Sequence, residues 1–299
     1  MSCPFHNGSA AAGPNPHAKP VPEHEGEVEV GEGLPIPHPP EKLLTKNLGE
    51  LNRDFMMSSF WRLSEIYGPI FSLNLVKRKV VVISNHELIN EVSDDTHYEK
   101  MVAGVQESVR VFVKNGLFTS YSDEPEWGIA HRTLVPAFGP LHVRTMFPQM
   151  TDILSQMILR WDRFGPDHRV STMDDFTRLA FDVIGLTAFN YRFNAFYGEE
   201  LIPFAKQLGE VLIEAGRRTD RLPIQKMMHI RDEKHMMDNI HAMWKVCDEI
   251  VAERKANPRP DVNDILNVML TAKDPVTGKG FTDENIRFQM ATFLVRSPF

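Results

Sequence analysis

Between Val143 and Trp161 nine apolar side chains recur at steps of three and four: Val143, Met146, Phe147, Met150, Ile153, Leu154, Met157, Ile158 and Trp161. A strand alternates faces every residue, so only a helix gathers these positions on one side. The result is one wide apolar stripe that must pack against something. The same period recurs downstream. Ser171-x-x-Asp174 reads as a capping box opening a helix through Phe176, Leu179, Ala180, Val183 and Ile184. Leu201, Phe204, Ala205, Leu208, Val211 and Leu212 define another, and Met236, Ile240, Met243, Cys247, Ile250 and Val251 one more. Thr282 caps a last helix from Asp283 to Val295, whose end, Met290 to Val295, is apolar enough to need partners.

One segment departs from this period. After Gly68-Pro69, apolar Phe71, Leu73 and Leu75 alternate with polar Ser72 and Asn74. A basic turn, Lys77-Arg78-Lys79, leads into Val80-Val81-Val82-Ile83. That is a β-hairpin. The fold class is therefore mainly α with a small N-terminal β-hairpin.

Nine of the 21 prolines fall in the first 40 residues, with several glycines and few large apolar side chains. Such a stretch buries too little surface to offset the entropy of ordering, so residues 1–40 read as a disordered arm and 41–295 as the folded domain. Lys and Arg number 33 against 40 Asp and Glu, a net charge of −7, which argues against a nucleic-acid partner. No apolar run approaches the length of a transmembrane helix, and the N-terminus lacks the basic and apolar regions of a secretory signal. Two cysteines, Cys3 and Cys247, exclude a disulfide framework and fit a reducing, cytoplasmic setting.

Generic catalytic motifs are missing: there is no GxSxG, no P-loop and no HExxH. Gly31-Glu32-Gly33 follows no strand, so it does not read as a dinucleotide fingerprint. The histidines of the Met/His-rich stretch at 227–243 are six apart, about 240° around a helix, and cannot converge on one metal ion. Cys247 sits inside an apolar stripe as a small buried hydrophobe. The segment 116–139 is more informative. Trp127 and His131 lie four apart on a helix starting near Asp123, so two N–H donors share one face. Such a pair suits a carboxylate; a Trp/His pair packed in the core has the same spacing.

Several stretches together resemble the cytochrome P-450 haem-thiolate monooxygenases, and within them the self-sufficient fatty-acid hydroxylases with a fused flavin reductase. They are Asn115-Gly116-Leu117-Phe118-Thr119-Ser120, Trp127-x-x-x-His131, Leu134-x-Pro136-x-Phe138, the run from Phe189 to Tyr197, Lys273-Asp274-Pro275-x-Thr277-Gly278, and Asp283-Glu284-Asn285-Ile286-Arg287-x-Gln289-x-x-Thr292-Phe293-Leu294. The resemblance implies the N-terminal part of a haem domain that inserts oxygen into fatty acids or similar apolar substrates. Electrons would come from NADPH through FAD and FMN in a reductase, fused or separate. Trp127 and His131 would bond a haem propionate, with Lys100 nearby. Phe118 would sit over the haem face, Val109 and Val113 would line the substrate channel, and Arg78 would meet a fatty-acid carboxylate. Val82 stands where relatives carry a channel-mouth tyrosine. No residue here is assigned as catalytic or as a metal ligand. After Val295 the family continues into an oxygen-activating motif and later a haem-ligand cysteine, whereas this chain has Arg296-Ser297-Pro298-Phe299, an unrelated-looking tail. The expectation is an incomplete P-450 fold, inactive as a fragment or arising from an error in the gene model.

Overall fold

A computed structural model describes residues 35–52, 55–75, 78–94, 97–220 and 229–295. Of the arm expected at 1–40, residues 1–34 lie outside the described residues, as do the tail at 296–299 and Met227 and Met228. The chain divides into two compact units, residues 1–99 and 100–299.

The first unit holds helix α1 (Met56–Tyr67), strands β1 (Ile70–Asn74) and β2 (Lys79–Ile83), and helix α2 (His86–Val92). The strands pair antiparallel with Phe71 opposite Val82 and Leu73 opposite Val80, the hairpin expected from the alternation. Phe71 and Leu73 are fully buried with Leu63 of α1. Ordered contacts begin before Pro40: the Pro37 carbonyl accepts from Ser72 N at 2.8 Å, and buried Asn47 donates to the Pro39 carbonyl at 3.1 Å.

The second unit is helical: α3 (Val105–Val113), α4 (Pro125–Leu134), α5 (Pro140–Phe164), α6 (Thr172–Phe189), α7 (Pro203–Asp220), α8 (Ile230–Ala256), α9 (Ile265–Thr271) and α10 (Asp283–Val295). Its main core joins all eight of these helices, α4 through Ala130 and Leu134 and α5 through Met146. The stripe on α8 is buried at all six expected positions, Met236 through Val251. The apolar end of α10 finds the partners it needs: Met290 and Leu294 are fully buried and Val295 nearly so. Thr282 caps this helix, its hydroxyl accepting from Asn285 N at 3.1 Å.

Two helices differ from their sequence patterns. On α5 the buried seam is Met146, Ile153 and Met157, while Phe147, Ile158 and Leu159 are exposed. The stripe spans more of the circumference than its neighbour α6 covers. On α6 the buried face runs through Asp175, Arg178, Phe181, Asp182 and Gly185, and Phe176 is exposed. Here charges are buried because the segment after α6 folds back and supplies partners. Ser171 does cap α6, its hydroxyl accepting from Asp174 N at 3.4 Å. A second buried pair ties α8 to α9. Arg254 forms a two-pronged bond to Asp264 at 3.0 and 2.7 Å and also holds the Phe189 carbonyl at 3.1 Å.

Candidate functional site

The candidate residues of the second unit gather around α3, α4 and the turn between them. This turn, residues 115–120, runs very close to α10. A Cβ on Gly116 would run into the Thr292 hydroxyl and come within 2.8 Å of the Phe288 carbonyl, so only glycine fits. On α10 two fully or nearly buried amides grip the turn. Gln289 Oε1 accepts from Leu117 N at 2.9 Å and Gln289 Nε2 donates to Asn285 Oδ1 at 3.1 Å. Asn285 Nδ2 in turn donates to the Asn115 side-chain oxygen at 3.1 Å. On the other side Lys100 Nζ donates to the carbonyls of Leu117 and Ser120, both at 3.0 Å. Burial, then the nearby Arg110 charge, lowers the Lys100 pKa. Phe118, half-buried, is carried on this clamped turn.

Helix α4 begins at Pro125, whose missing N–H and fixed φ suit the first turn. Glu124, just before it, collects the loose ends. Its carboxylate accepts from Ser120 Oγ at 2.8 Å, from Tyr121 N at 3.0 Å and from both terminal nitrogens of Arg110. Burial pushes the Glu124 pKa up, but Arg110, Ser120 and Tyr121 together outweigh it and hold the carboxyl below its ordinary value. Arg110 also donates to the Thr119 carbonyl at 2.5 Å and lies over the Tyr121 ring, 4.2 Å from its centre. The far end of α4 is fastened by Arg132, which donates to both oxygens of Asp274 at 2.7 and 2.9 Å. Asp274 organises the Lys273–Gly278 turn, accepting from Thr277 N at 3.0 Å and Thr277 Oγ1 at 2.6 Å. Arg132 first, then Thr277, hold its carboxyl well below the usual carboxylate range in spite of burial.

Between these fastened ends Trp127 and His131 stack, with ring centres 4.9 Å apart and planes 15° from parallel. Trp127 is half-buried and His131 exposed. Among the described residues neither ring N–H has a hydrogen-bond partner, although the surrounding Arg110, Glu124, Arg132 and Lys100 side chains are all engaged. The arrangement is thus not a packed core pair. Two unclaimed donors on one exposed face are what a carboxylate-bearing group such as haem requires, and the residues present fit that group.

The other candidates fall elsewhere. Val109 and Val113 share one face of α3 and are buried in the main core beside Phe112. Arg78 is exposed after β1, in the first unit, its carbonyl accepting from Leu75 N at 2.9 Å. Cys247 is fully buried on α8, and burial, aided by the Asp248 charge, pushes its thiol up to about 12. Such a thiol does not suit a thiolate ligand. The histidines of the Met/His stretch serve locally: His235 pairs with Glu210 at 2.9 Å and His241 packs against Trp244. Sequence reasoning gave no role to Gln289, Asn285, Arg110, Glu124, Arg132 or Asp274. The signal for the first two was a pair of amides four apart, and so on one face of α10.

The cytochrome P450 family model matches residues 36–297. The chain is 43% identical over 260 residues to a self-sufficient cytochrome P450 monooxygenase of Phanerodontia chrysosporium, a match covering 87% of this chain and 24% of that protein. It is 45% identical over 268 residues to a bifunctional cytochrome P450/NADPH–P450 reductase of Fusarium oxysporum, covering 89% and 25%. To a bifunctional cytochrome P450/NADPH–P450 reductase of Bacillus subtilis it is 40% identical over 260 residues, covering 87% and 25%. The chain therefore spans about a quarter of the length of these relatives. Among the described residues no helix is long and apolar enough to cross a membrane.

Proposed function

This chain belongs to the cytochrome P450 family, and from that premise we propose that residues 41–295 are the N-terminal part of a haem monooxygenase domain acting on fatty acids or similar apolar substrates in the cytoplasm. The observation that carries the reading is the stacked Trp127–His131 pair with both N–H groups unclaimed. These two residues would bond a haem propionate, with Lys100 adding positive charge while it braces the turn from behind. When bound, haem supplies the binding and activation of dioxygen. Phe118, on its clamped turn, would restrict which substrate carbon can approach. Val109 and Val113 would form an apolar wall, and Arg78 would attract a substrate carboxylate. NADPH-derived electrons would arrive through FAD and FMN of a reductase, fused as the relatives' names state of them or supplied separately.

The test is a haemin titration of the chain followed by absorbance. Trp127→Phe keeps the ring and removes the donor. A charge-assisted hydrogen bond contributes about 1.5–3 kcal/mol, the lower end applying to this half-exposed site, so affinity should fall about tenfold. Equal affinity would remove the propionate role.

A second reading is favoured by Cys247. With its thiol pushed up to about 12 and sealed inside α8, Cys247 would not supply the thiolate that this chemistry needs, which favours a catalytically inactive chain. A thiolate-type spectrum of the reduced, CO-treated chain would overturn that reading.

A further inference from the structure

A cleft of about 480 Å³ opens between the C-terminal half of α5 and the loop at residues 196–199. It shares no residue with the α3–α4 site. Its volume lies within the roughly 300–1,000 Å³ of small-molecule pockets. The helix lends Gln156, Leu159, Arg160, Arg163 and Phe164, spaced three and four apart and so on one face.

The loop wall is fixed in advance. Arg178 of α6, 3% exposed, donates to the carbonyls of Ala195 at 2.6 Å, Gly198 at 3.3 Å, Glu199 at 2.5 Å and Glu200 at 2.9 Å. Arg160 adds bonds to the Phe196 carbonyl at 3.2 Å and the Gly198 carbonyl at 3.0 Å. A wall held this way needs no ordering when a ligand arrives, which removes a main cost of binding.

The lining combines positive charge with open apolar surface. Two guanidinium groups, Arg160 and Arg163, face one carboxylate, Glu199. Asp175 lies 3.8 Å from Arg160 Nε and 3.6 Å from Arg178 Nε and is shared between them. Arg163 has no ion-pair partner among the described residues, and its side chain is exposed. Beside it Leu159 is 60% and Tyr197 82% exposed, large apolar areas for a folded surface. Phe164 is also open, with the Arg160 guanidinium 5.0 Å from its ring centre.

We propose that this cleft binds a small anion with a flat apolar body, an aryl carboxylate being the simplest member. Arg163 meets the carboxylate, and the rings of the ligand cover Leu159 and Tyr197. The net positive lining selects the anion, and the exposed aromatic surface selects a flat body over a compact ion.

The experiment titrates the 299-residue chain with 2-naphthoate and with 2-naphthamide, which has the same body and no charge. Calorimetry gives affinity and stoichiometry, and saturation-transfer NMR reports the bound face. Expected are saturable 1:1 binding of naphthoate and an affinity for the amide at least about fivefold weaker, the size of one partly exposed charge pair. Arg163→Gln should weaken naphthoate by a similar factor and leave the amide unchanged. Because Arg163 is exposed and holds no partner, its circular dichroism and unfolding curve should match the parent. Tyr197→Ser, on the other wall, should weaken both probes. The proposal fails if naphthoate does not saturate, if the amide binds equally well, or if either variant leaves naphthoate affinity unchanged. In that event the arginines serve only the negative end of the α5 dipole.

Discussion

Replacing Gln289 with leucine should destabilise the folded chain by about 2–4 kcal/mol. Gln289 is fully buried; its oxygen accepts from Leu117 N at 2.9 Å and its nitrogen donates to Asn285 Oδ1 at 3.1 Å. Leucine has nearly the same volume, so the change leaves packing in place and strands two polar groups. Each stranded group costs about 1–3 kcal/mol where water cannot reach it. Leu117 is only half-buried, so water repays part of the cost on that side, and the sum falls in the lower half of the range. For a unit of this size the urea slope is near the upper end of about 1–3 kcal/mol per M, so the midpoint should drop by about 1 M. Amide exchange adds a local readout. The segment 113–121 should lose protection well before α8 does, because the clamp holds that turn and not the helix. A midpoint shift below about 0.3 M at unchanged slope, with 113–121 still protected, would refute the reasoning. Phe118 rides on the same turn, so the outcome also says whether α10 sets its position.

Two further outcomes follow from the charge environment. Asp274 has its folded pKa depressed by Arg132 and Thr277, so its ionised form is the one folding favours. Its contribution is therefore complete above the ordinary carboxylate range near pH 4 and fades as pH falls through the lower folded value. Asp274→Asn should be less stable than the parent at pH 7, and the gap should narrow as urea midpoints are followed from about pH 4 to pH 2; a constant gap would contradict this. For Cys247 at about 12, the thiolate fraction at pH 8 is about one in 10⁴. In a Cys3→Ser chain, labelling by a disulfide reagent at pH 8 should proceed at the rate of unfolding, and prompt labelling of native protein would show the thiol to be accessible.

The elements legible in the sequence are those whose pattern is complete within the element. The hairpin needed only the alternation of Phe71 and Leu73 and a run of β-branched residues after a turn. Helix α8 needed only its 3.6 period, and every expected position is buried. Helix α6 was legible as a capped helix, but its most buried face was not, because that face carries Asp175, Arg178 and Asp182, charges that are tolerable inside only once the Ala195–Glu200 loop supplies its carbonyls and the Ala195 N–H. The α5 stripe overstated burial because hydrophobicity records what a surface can bury, not what covers it. The Trp127–His131 pair was legible as a shared face; that its donors stay unclaimed depends on where Arg110, Glu124, Arg132 and Asp274 find their partners. The Gln289 clamp joins groups 172 residues apart, a distance no local period reports.

That last contrast separates scaffold from site. Around α4 nearly every strong donor is spent on the protein itself: Arg110 on Glu124 and Thr119, Lys100 on two carbonyls, Arg132 on Asp274. These bonds fix where the helix starts, how the 115–120 turn is held and where the helix ends. Trp127 and His131 fix nothing of the kind, since their mutual stacking leaves both N–H groups open. Polar groups that fold a chain are satisfied by it, because leaving them unpaired inside costs more than a typical net hydrogen bond returns. A pair left open on a face whose neighbours are all engaged is available to a group from outside the chain, and the proposed haem propionate contact rests on that contrast.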